Sequence, residues 1–391
     1  MERPLAITNT LQLSMGFKRI VALAIVAGPL AMAGPAQATT PSGSDFTQAL
    51  PDSQAVKSQA ARTTGAPVLY RTPAITAPRR FDLVGVEGAE GALEFRTQAR
   101  GDAWTDWVEA DAQEPVYAGG ADRVQVRSRK GRISGKLHYV RIADGNVPAD
   151  ELLARGARPG KKGGRQAATR PRYITRAEWG ANSKVGGCLP RETPERGKVK
   201  AGVIHHTVST NTYTEAEAPG LVLGICRYHR NSNGWNDIGY NALVDRFGNL
   251  YEGRAGGMSR AIIGAQAEGV NSQTTGIASI GDNREFEASP AERRTIVKFL
   301  AWKLSLAGID DAEGRATLMS AGGSTQRTPA GQRVRTPRIF SHNFTNITAC
   351  AGEALISQIP QIRRAIQRKL GASPPVEPTP PDTGGGAAPK P

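Results

Sequence analysis

Between residues 68 and 143 the chain reads as short segments, 81–86, 92–97, 122–128 and 137–142, in which apolar and polar positions partly alternate and Gly-rich breaks intervene. Alternation with a period of two gives a strand one buried and one wetted face, so this stretch predicts a small all-β, sandwich-like domain. The texture changes at residue 172. Residues 199–207 form an apolar run closing in polar residues, which reads as a buried strand. Residues 241–245 and 250–253 flank the turn residues 246–249 and predict a hairpin. Ser289-Pro-Ala-Glu292 is a capping box with Pro at the first helical position, and Ile296, Val297, Leu300, Ala301 and Leu304 follow on one face. A further helix is expected from about Pro360, presenting Ile362, Ile366 and Leu370 and ending at Gly371. Strands interleaved with helices predict an α/β domain over residues 172–371, a mixed sheet flanked by helices.

The segments between and around these units carry other signals. Lys18 and Arg19 precede an apolar run over residues 20–34, broken by Gly28 and Pro29, and Ala36-Gln37-Ala38 follows. That is the three-part pattern of a secretory signal over residues 1–38, and the run falls short of the 18 or so residues of a spanning helix. Residues 39–67, rich in Thr, Ser, Gln and Ala, read as a disordered leader. Residues 144–171 read as a basic flexible linker, because seven basic residues and no acid lie between Leu152 and Arg172. Residues 372–391 read as a disordered Pro/Gly tail.

The 391-residue chain has 50 Lys and Arg against 35 Asp and Glu, a net charge of +15 that calls for a polyanionic partner. Export makes an anionic wall polymer the expected one, and an extracellular nucleic-acid binder rests on charge alone. With three Cys the chain is no disulfide-built miniprotein. Trp104 and Trp107 suit either a carbohydrate platform or plain packing at the edge of the β domain, the second being favoured.

Chemistry concentrates at a few positions. His205 and His206 close the apolar strand, while His342 and Cys350 flank a polar loop. Imidazole and thiolate suit zinc, and catalytic zinc takes three protein ligands with a fourth position for water. Successive strand side chains point to opposite faces, so His206 is expected behind the sheet. His229 reads as a helix residue and His138 as structural.

Five ordered stretches carry a resemblance. They are His205-His-Thr-Val, Gly234-Trp-Asn-Asp-Ile-Gly-Tyr240-Asn-Ala-Leu-Val-Asp245, Tyr251-Glu-Gly-Arg254-Ala-Gly, Ile263-Gly-Ala, and His342 through Thr348-Ala-Cys350-Ala-Gly. Together they resemble the motifs of the peptidoglycan recognition protein family and its zinc-dependent N-acetylmuramoyl-L-alanine amidases. The resemblance implies zinc held by His205, His342 and Cys350, with Tyr240 as a catalytic tyrosine donating to the developing oxyanion and Thr348 as a site threonine. It further implies that Gly234, Trp235 and Arg254 contact a diaminopimelate-type stem peptide. The sequence departs from the family pattern at Asn343, Ala351 and Gln266. Two neutral imidazoles and a thiolate leave a zinc site at net +1, able to acidify a bound water and polarise an amide carbonyl. Cys188 and Cys226, in an exported protein, are expected to form a disulfide.

The expectation is therefore a secreted, monomeric zinc amidase of peptidoglycan, wall-associated or extracellular, with no nucleic acid and no membrane insertion once the signal is removed. Its rival is a peptidoglycan-binding module without catalysis. Residues 172–371 are expected to fold and act alone on soluble fragments.

Overall fold

A computed structural model describes residues 41–55, 68–88, 93–110, 113–143 and 168–371. The signal segment, residues 56–67 of the leader, residues 144–167 of the linker and the tail lie outside the described residues.

The N-terminal part is one eight-stranded antiparallel sheet. Its strands are β1 Ser42–Ala49, β2 Gln54–Ala55, β3 Tyr70–Arg71, β4 Ile75–Glu87, β5 Leu93–Gln98, β6 Val108–Ala110, β7 Val116–Ser128 and β8 Lys136–Ala143, and the spatial order is β1-β8-β4-β7-β3-β2, with β5 pairing β6 and β7. The middle of β4 does not alternate buried with exposed, because both faces are covered. Val84 and Val86 point into a core with Phe81, Phe95, Val124 and Tyr139. Leu83 points the other way, as do Val140 and Ile142 of β8, and joins a second core. Trp104 and Trp107 are half-buried, and the Arg96 guanidinium lies 4.8 and 4.7 Å from their two ring centres.

The disordered leader expected over residues 39–67 does not hold for Ser42–Ala49. This segment pairs with β8 along its whole length, Ser42 opposite Ala143 and Ala49 opposite Lys136. It has one large apolar side chain, Phe46, which stacks on Tyr139 at 4.8 Å. Asp45 accepts from Arg227 and from Asn231. The strand exists because β8 offers a ladder and two distant residues offer donors, neither of which local composition encodes.

The second core explains why the sheet is docked. Helix α1, Ala218–Asn231, buries Leu221, Val222, Leu223, Ile225 and Tyr228, so it is apolar all round rather than along one stripe. Leu83, Val140 and Ile142 cover the side that the C-terminal domain leaves open. Approach is close enough to demand glycine twice. A Cβ on Gly85 would lie 2.0 Å from the Tyr228 oxygen, and one on Gly224 would lie 2.4 Å from Leu83.

The C-terminal part is built on a five-stranded mixed sheet. Strands β9 Ala201–His206, β10 Ala242–Val244, β11 Leu250–Glu252, β12 Thr274–Ser279 and β15 Ile339–Ser341 take the order β11-β10-β12-β9-β15, with only the β10–β11 hairpin antiparallel. The short pair β13 Arg315–Met319 and β14 Arg333–Pro337 stands apart from it. Helix α1 packs with Leu243, Ala278 and Ile280 on one face. Helices α2 Pro290–Leu306 and α3 Glu353–Gly371 pack with Ile204, Val244 and Ile277 on the other. The capping box at Ser289 and Glu292 is formed. Helix α3 begins seven residues before the expected Pro360, which sits inside it. Leu355, Ile359, Ile362 and Ile366 make one continuous buried face across the proline, and that burial outweighs the lost backbone donor.

Cys188 and Cys226 form a disulfide that ties the segment before β9 to α1 across 38 residues. Closing a loop of that length removes about 4 kcal/mol of unfolded-chain entropy in the simplest treatment.

The shared core alters the expectation that residues 172–371 fold alone. A chain starting at residue 168 loses the cover that Leu83, Val140 and Ile142 give α1, at about 1.5–3 kcal/mol for each buried side chain. It is expected to melt about 10 °C or more below the full chain and to self-associate, as read by thermal circular dichroism and size-exclusion chromatography. A truncated chain that is monomeric and equally stable would show that the sheet is an independent appendage.

Candidate metal centre

Strand β9 positions two histidines with opposite aims. Ala201, Val203 and His205 share one face, and Ile204 and His206 share the other. His206 accepts at Nδ1 from the Asn283 amide at 3.0 Å and stays outside the ligand cluster. Parallel pairing of β15 with β9 sets Ser341 opposite Ile204, so the next residue, His342, leaves the sheet beside His205. Their ring centres are 4.7 Å apart. A turn then returns the chain: Asn343 donates to the Cys350 carbonyl at 2.8 Å, and the Cys350 amide donates to Thr348 Oγ1 at 3.0 Å. Cys350 Sγ comes to 3.6 Å from His205 Nδ1 and accepts from the His206 amide at 3.4 Å. One ligand atom from each of His205, His342 and Cys350 lies within 4.8 Å of the others.

The donor set fits a zinc ion on protonation grounds. His205 Nε2 lies 2.5 Å from the Gln266 carbonyl oxygen, and the Gln266 amide nitrogen donates to Thr274 Oγ1, which donates to the Val270 carbonyl. Because Thr274 fixes the amide's orientation, the oxygen must face the imidazole and accept from Nε2–H. Nδ1 is then the deprotonated nitrogen, and it is the one facing Cys350. Such an outer partner fixes the tautomer that a metal requires. Burial holds His205 well below the ordinary imidazole range, with the His342 charge adding to the effect, and pushes His342 down to about 4. Neutral imidazole is the ligating form. The second cluster of potential ligands, Cys188, Cys226 and Asp237, has both sulfurs in the disulfide and carries no such chemistry.

The remaining expected residues lie along a row of rings that leads away from this cluster. The Tyr240 ring centre is 5.2 Å from that of His205, His229 is 5.6 Å from Tyr240, and Trp235 is 4.7 Å from His229. Gly234 has φ 71°, a left-handed conformation that favours glycine before Trp235. The Arg254 amide donates to the Tyr240 carbonyl at 2.8 Å and its guanidinium to the Ile238 carbonyl at 3.1 Å. Buried Asp237 holds these loops together: it pairs with Arg176 at 3.1 Å and accepts from the Ile238 and Ala255 amides at 2.9 and 2.7 Å.

Tyr240 departs from expectation in one respect. Its hydroxyl donates at 2.7 Å to Glu114, which lies in the turn just before β7 of the N-terminal part. A phenol has one hydrogen, so in this arrangement it is committed to the carboxylate and is not aimed at an oxyanion. Sequence reading missed Glu114, Gln266, Asp237 and Arg176. Gln266 left a signal as a departure from the motif it follows, and Asp237 as a member of the Gly234–Asp245 stretch.

The N-acetylmuramoyl-L-alanine amidase family matches residues 195–353. This segment is similar to the peptidoglycan recognition proteins. Over 117 residues the chain is 35% identical to peptidoglycan-recognition protein SC2 of Drosophila melanogaster, covering 30% of this chain and 59% of that protein. Peptidoglycan-recognition protein 1 of Holotrichia diomphalia is 33% identical over 112 residues, 29% of this chain and 52% of that one. Among solved structures, Drosophila peptidoglycan recognition protein SD shows 21% identity and a TM-score of 0.38, covering 49% of this chain and 95% of that one. The chain thus spans between half and two thirds of the length of these two curated relatives. The segment matched by the amidase family, residues 195–353, contains every residue of the ring row and the ligand cluster.

Two outcomes follow. Gln266→Leu removes the acceptor for His205 Nε2–H and is expected to weaken zinc affinity 10- to 100-fold, roughly the range for an outer partner, in a competition titration with a chromogenic chelator. In metal-free protein, burial depresses His206 and His342 to about 4, against about 6.5 for an exposed imidazole. The unfolded chain therefore takes up protons first, and the melting temperature in chelator is expected to fall as pH drops from about 6.5 to about 4. A flat profile over that window would contradict the burial of these rings.

Proposed function

We propose that this is a secreted zinc amidase hydrolysing the amide between N-acetylmuramic acid and L-alanine in peptidoglycan, a monomer whose recognition domain follows a smaller all-β, sandwich-like domain. The observation that carries the reading is the convergence of His205, His342 and Cys350, with the His205 tautomer fixed by Gln266 so that Nδ1 faces Cys350. A complete set of two imidazoles and a thiol favours hydrolysis over binding alone. The two curated relatives compared above are peptidoglycan-recognition proteins, and a solved relative is peptidoglycan recognition protein LE in complex with tracheal cytotoxin, a monomeric diaminopimelic acid-type peptidoglycan. The signal pattern over residues 1–38 and the Cys188–Cys226 disulfide support an extracellular or wall-associated location.

In this reading His205, His342 and Cys350 hold zinc, which supplies Lewis acidity to the scissile carbonyl and to water. The chain's own residues do the rest. Trp235 and Arg254 line the approach on which the stem peptide lies, the guanidinium facing a side-chain carboxylate as diaminopimelate offers. The peptide carbonyl is thereby brought beside Tyr240, and Thr348 keeps the Cys350 backbone in place through its hydroxyl. Burial of the cluster excludes bulk water and strengthens each polar contact made there.

Cys350→Ser replaces a thiolate by a hydroxyl that stays protonated near neutral pH, so zinc content and turnover are both expected to collapse while muropeptide affinity stays within a few-fold. Tyr240→Phe is expected to keep zinc and lose about 10- to 100-fold in kcat. Digestion of purified peptidoglycan with and without chelator, with released peptides identified by mass and N-terminal residue, is the deciding measurement. Peptides beginning with L-alanine only in the metal-loaded reaction are expected, and full turnover by Cys350→Ser would remove the ligand assignment.

A further inference from the structure

His229 and Tyr240 are buried polar rings in the recognition domain, 0% and 3% exposed, and the same carboxylate from outside that domain serves both. Glu114 accepts from Tyr240 Oη at 2.7 Å and stands 3.2 Å from His229 Nε2 through each of its oxygens. The Gly239 amide donates to His229 Nδ1 at 3.2 Å, which leaves the ring's hydrogen on Nε2, facing Glu114. The contact is directional at every atom: two donors, one acceptor group, and a backbone amide that sets the tautomer. Among the described residues Glu114 is the partner of that Nε2–H. Beside it, Asn233 donates to the Gln113 carbonyl at 2.8 Å. The sheet whose β7 these residues immediately precede is fixed on α1 by the shared core and by Asp45.

We propose that Glu114 is a positioning residue of the hydrolytic site, supplied by the N-terminal part and acting through Tyr240. The assignment rests on Tyr240 belonging to the amidase site described above. By taking the phenol's hydrogen, Glu114 fixes the torsion of the hydroxyl and turns Tyr240 from a donor into an acceptor, suited to orient an attacking water or the N–H of the departing amine. His229, held by the same carboxylate, backs the phenol ring and the Trp235 ring at once. The N-terminal sheet is then a structural part of the site rather than a device for holding the enzyme near its wall.

The test uses the full-length zinc-loaded chain and a soluble muropeptide. Glu114→Ala is expected to lower kcat about 10-fold with KM within 2-fold, at unchanged zinc content, and to lower the melting temperature by several degrees because two buried donors lose their acceptor. Glu114→Gln keeps an acceptor oxygen for the phenol and is expected within about 3-fold of wild type. In a Tyr240→Phe background Glu114→Ala is expected to change kcat less than 2-fold, because the route of its effect is already gone. An unchanged kcat, a raised kcat, or an equal loss in the Tyr240→Phe background overturns the proposal. Should wild type show no turnover, the amidase reading fails, and Glu114 is judged separately by NMR. The slowly exchanging Nε2–H resonance of His229 is expected in wild type and lost in Glu114→Ala, and its persistence overturns the contact.

Discussion

Burial of α1 on all sides is the constraint from which the rest of the arrangement follows. Leu221, Val222, Leu223, Ile225 and Tyr228 distribute apolar surface around the whole helix, and the five-stranded sheet can cover only one side. The other side must be covered or remain wet, and at about 25 cal/mol per Å² the helix gains several kcal/mol from being covered. The N-terminal sheet is the cover. Its docking requires glycine at 85 and 224, draws Arg227 and Asn231 to Asp45, and brings Gln113 and Glu114 over Asn233, His229 and Tyr240. The disulfide pins the same helix from inside through Cys226. One packing requirement therefore ends at the hydroxyl of the residue beside the ligand cluster.

The convergence of His205, His342 and Cys350 was legible because its parts obey local rules. A strand closing in two histidines must send them to opposite faces, and an ordered set of short motifs distinguishes the one that joins His342 and Cys350. The hairpin at Ala242–Glu252 and the capping box at Ser289 were legible for the same reason, since turn residues and caps act over a few positions. What escaped was held by long-range partners. Strand Ser42–Ala49 is polar apart from Phe46 and draws its order from β8 and α1. Helix α3 runs through Pro360 because Leu355 and Ile359 are buried before it. The all-apolar stretch from Leu221 to Ile225 was the one available clue that α1 needs a second cover, and periodicity alone does not say what supplies it.

The outer contacts of the cluster show the same division. Gln266 interrupts a motif and so looks like a loss, yet its amide does the work of any acceptor on His205 Nε2–H, with Thr274 fixing which end faces the ring. Arg176 and Asp237 lie 61 positions apart and form one buried pair that ties the segment before Tyr240 to the one after Arg254. A buried pair of this kind adds little net stability, since desolvation offsets its attraction, so its effect here is on geometry. It holds two loops, one carrying Trp235 and the other Arg254, in a single register.

Glu114 and Gln266 act on the two ends of one line of rings. Gln266 settles which nitrogen of His205 is bare, and Glu114 settles which way the hydrogen of Tyr240 points. Each replaces a freely chosen hydrogen position by a fixed one in a site too buried for water to do so. Fixing those hydrogens before substrate arrives removes reorganisation from the reaction itself, which is where preorganised polar groups gain their advantage over solvent. Gln266 comes from within the recognition domain and Glu114 from a turn of the N-terminal part outside it. Assembly of the proposed hydrolytic site is thus tied to docking of the N-terminal sheet, and a substitution on the covered face of α1, far from the His205, His342 and Cys350 cluster, reaches that site through the position of one carboxylate.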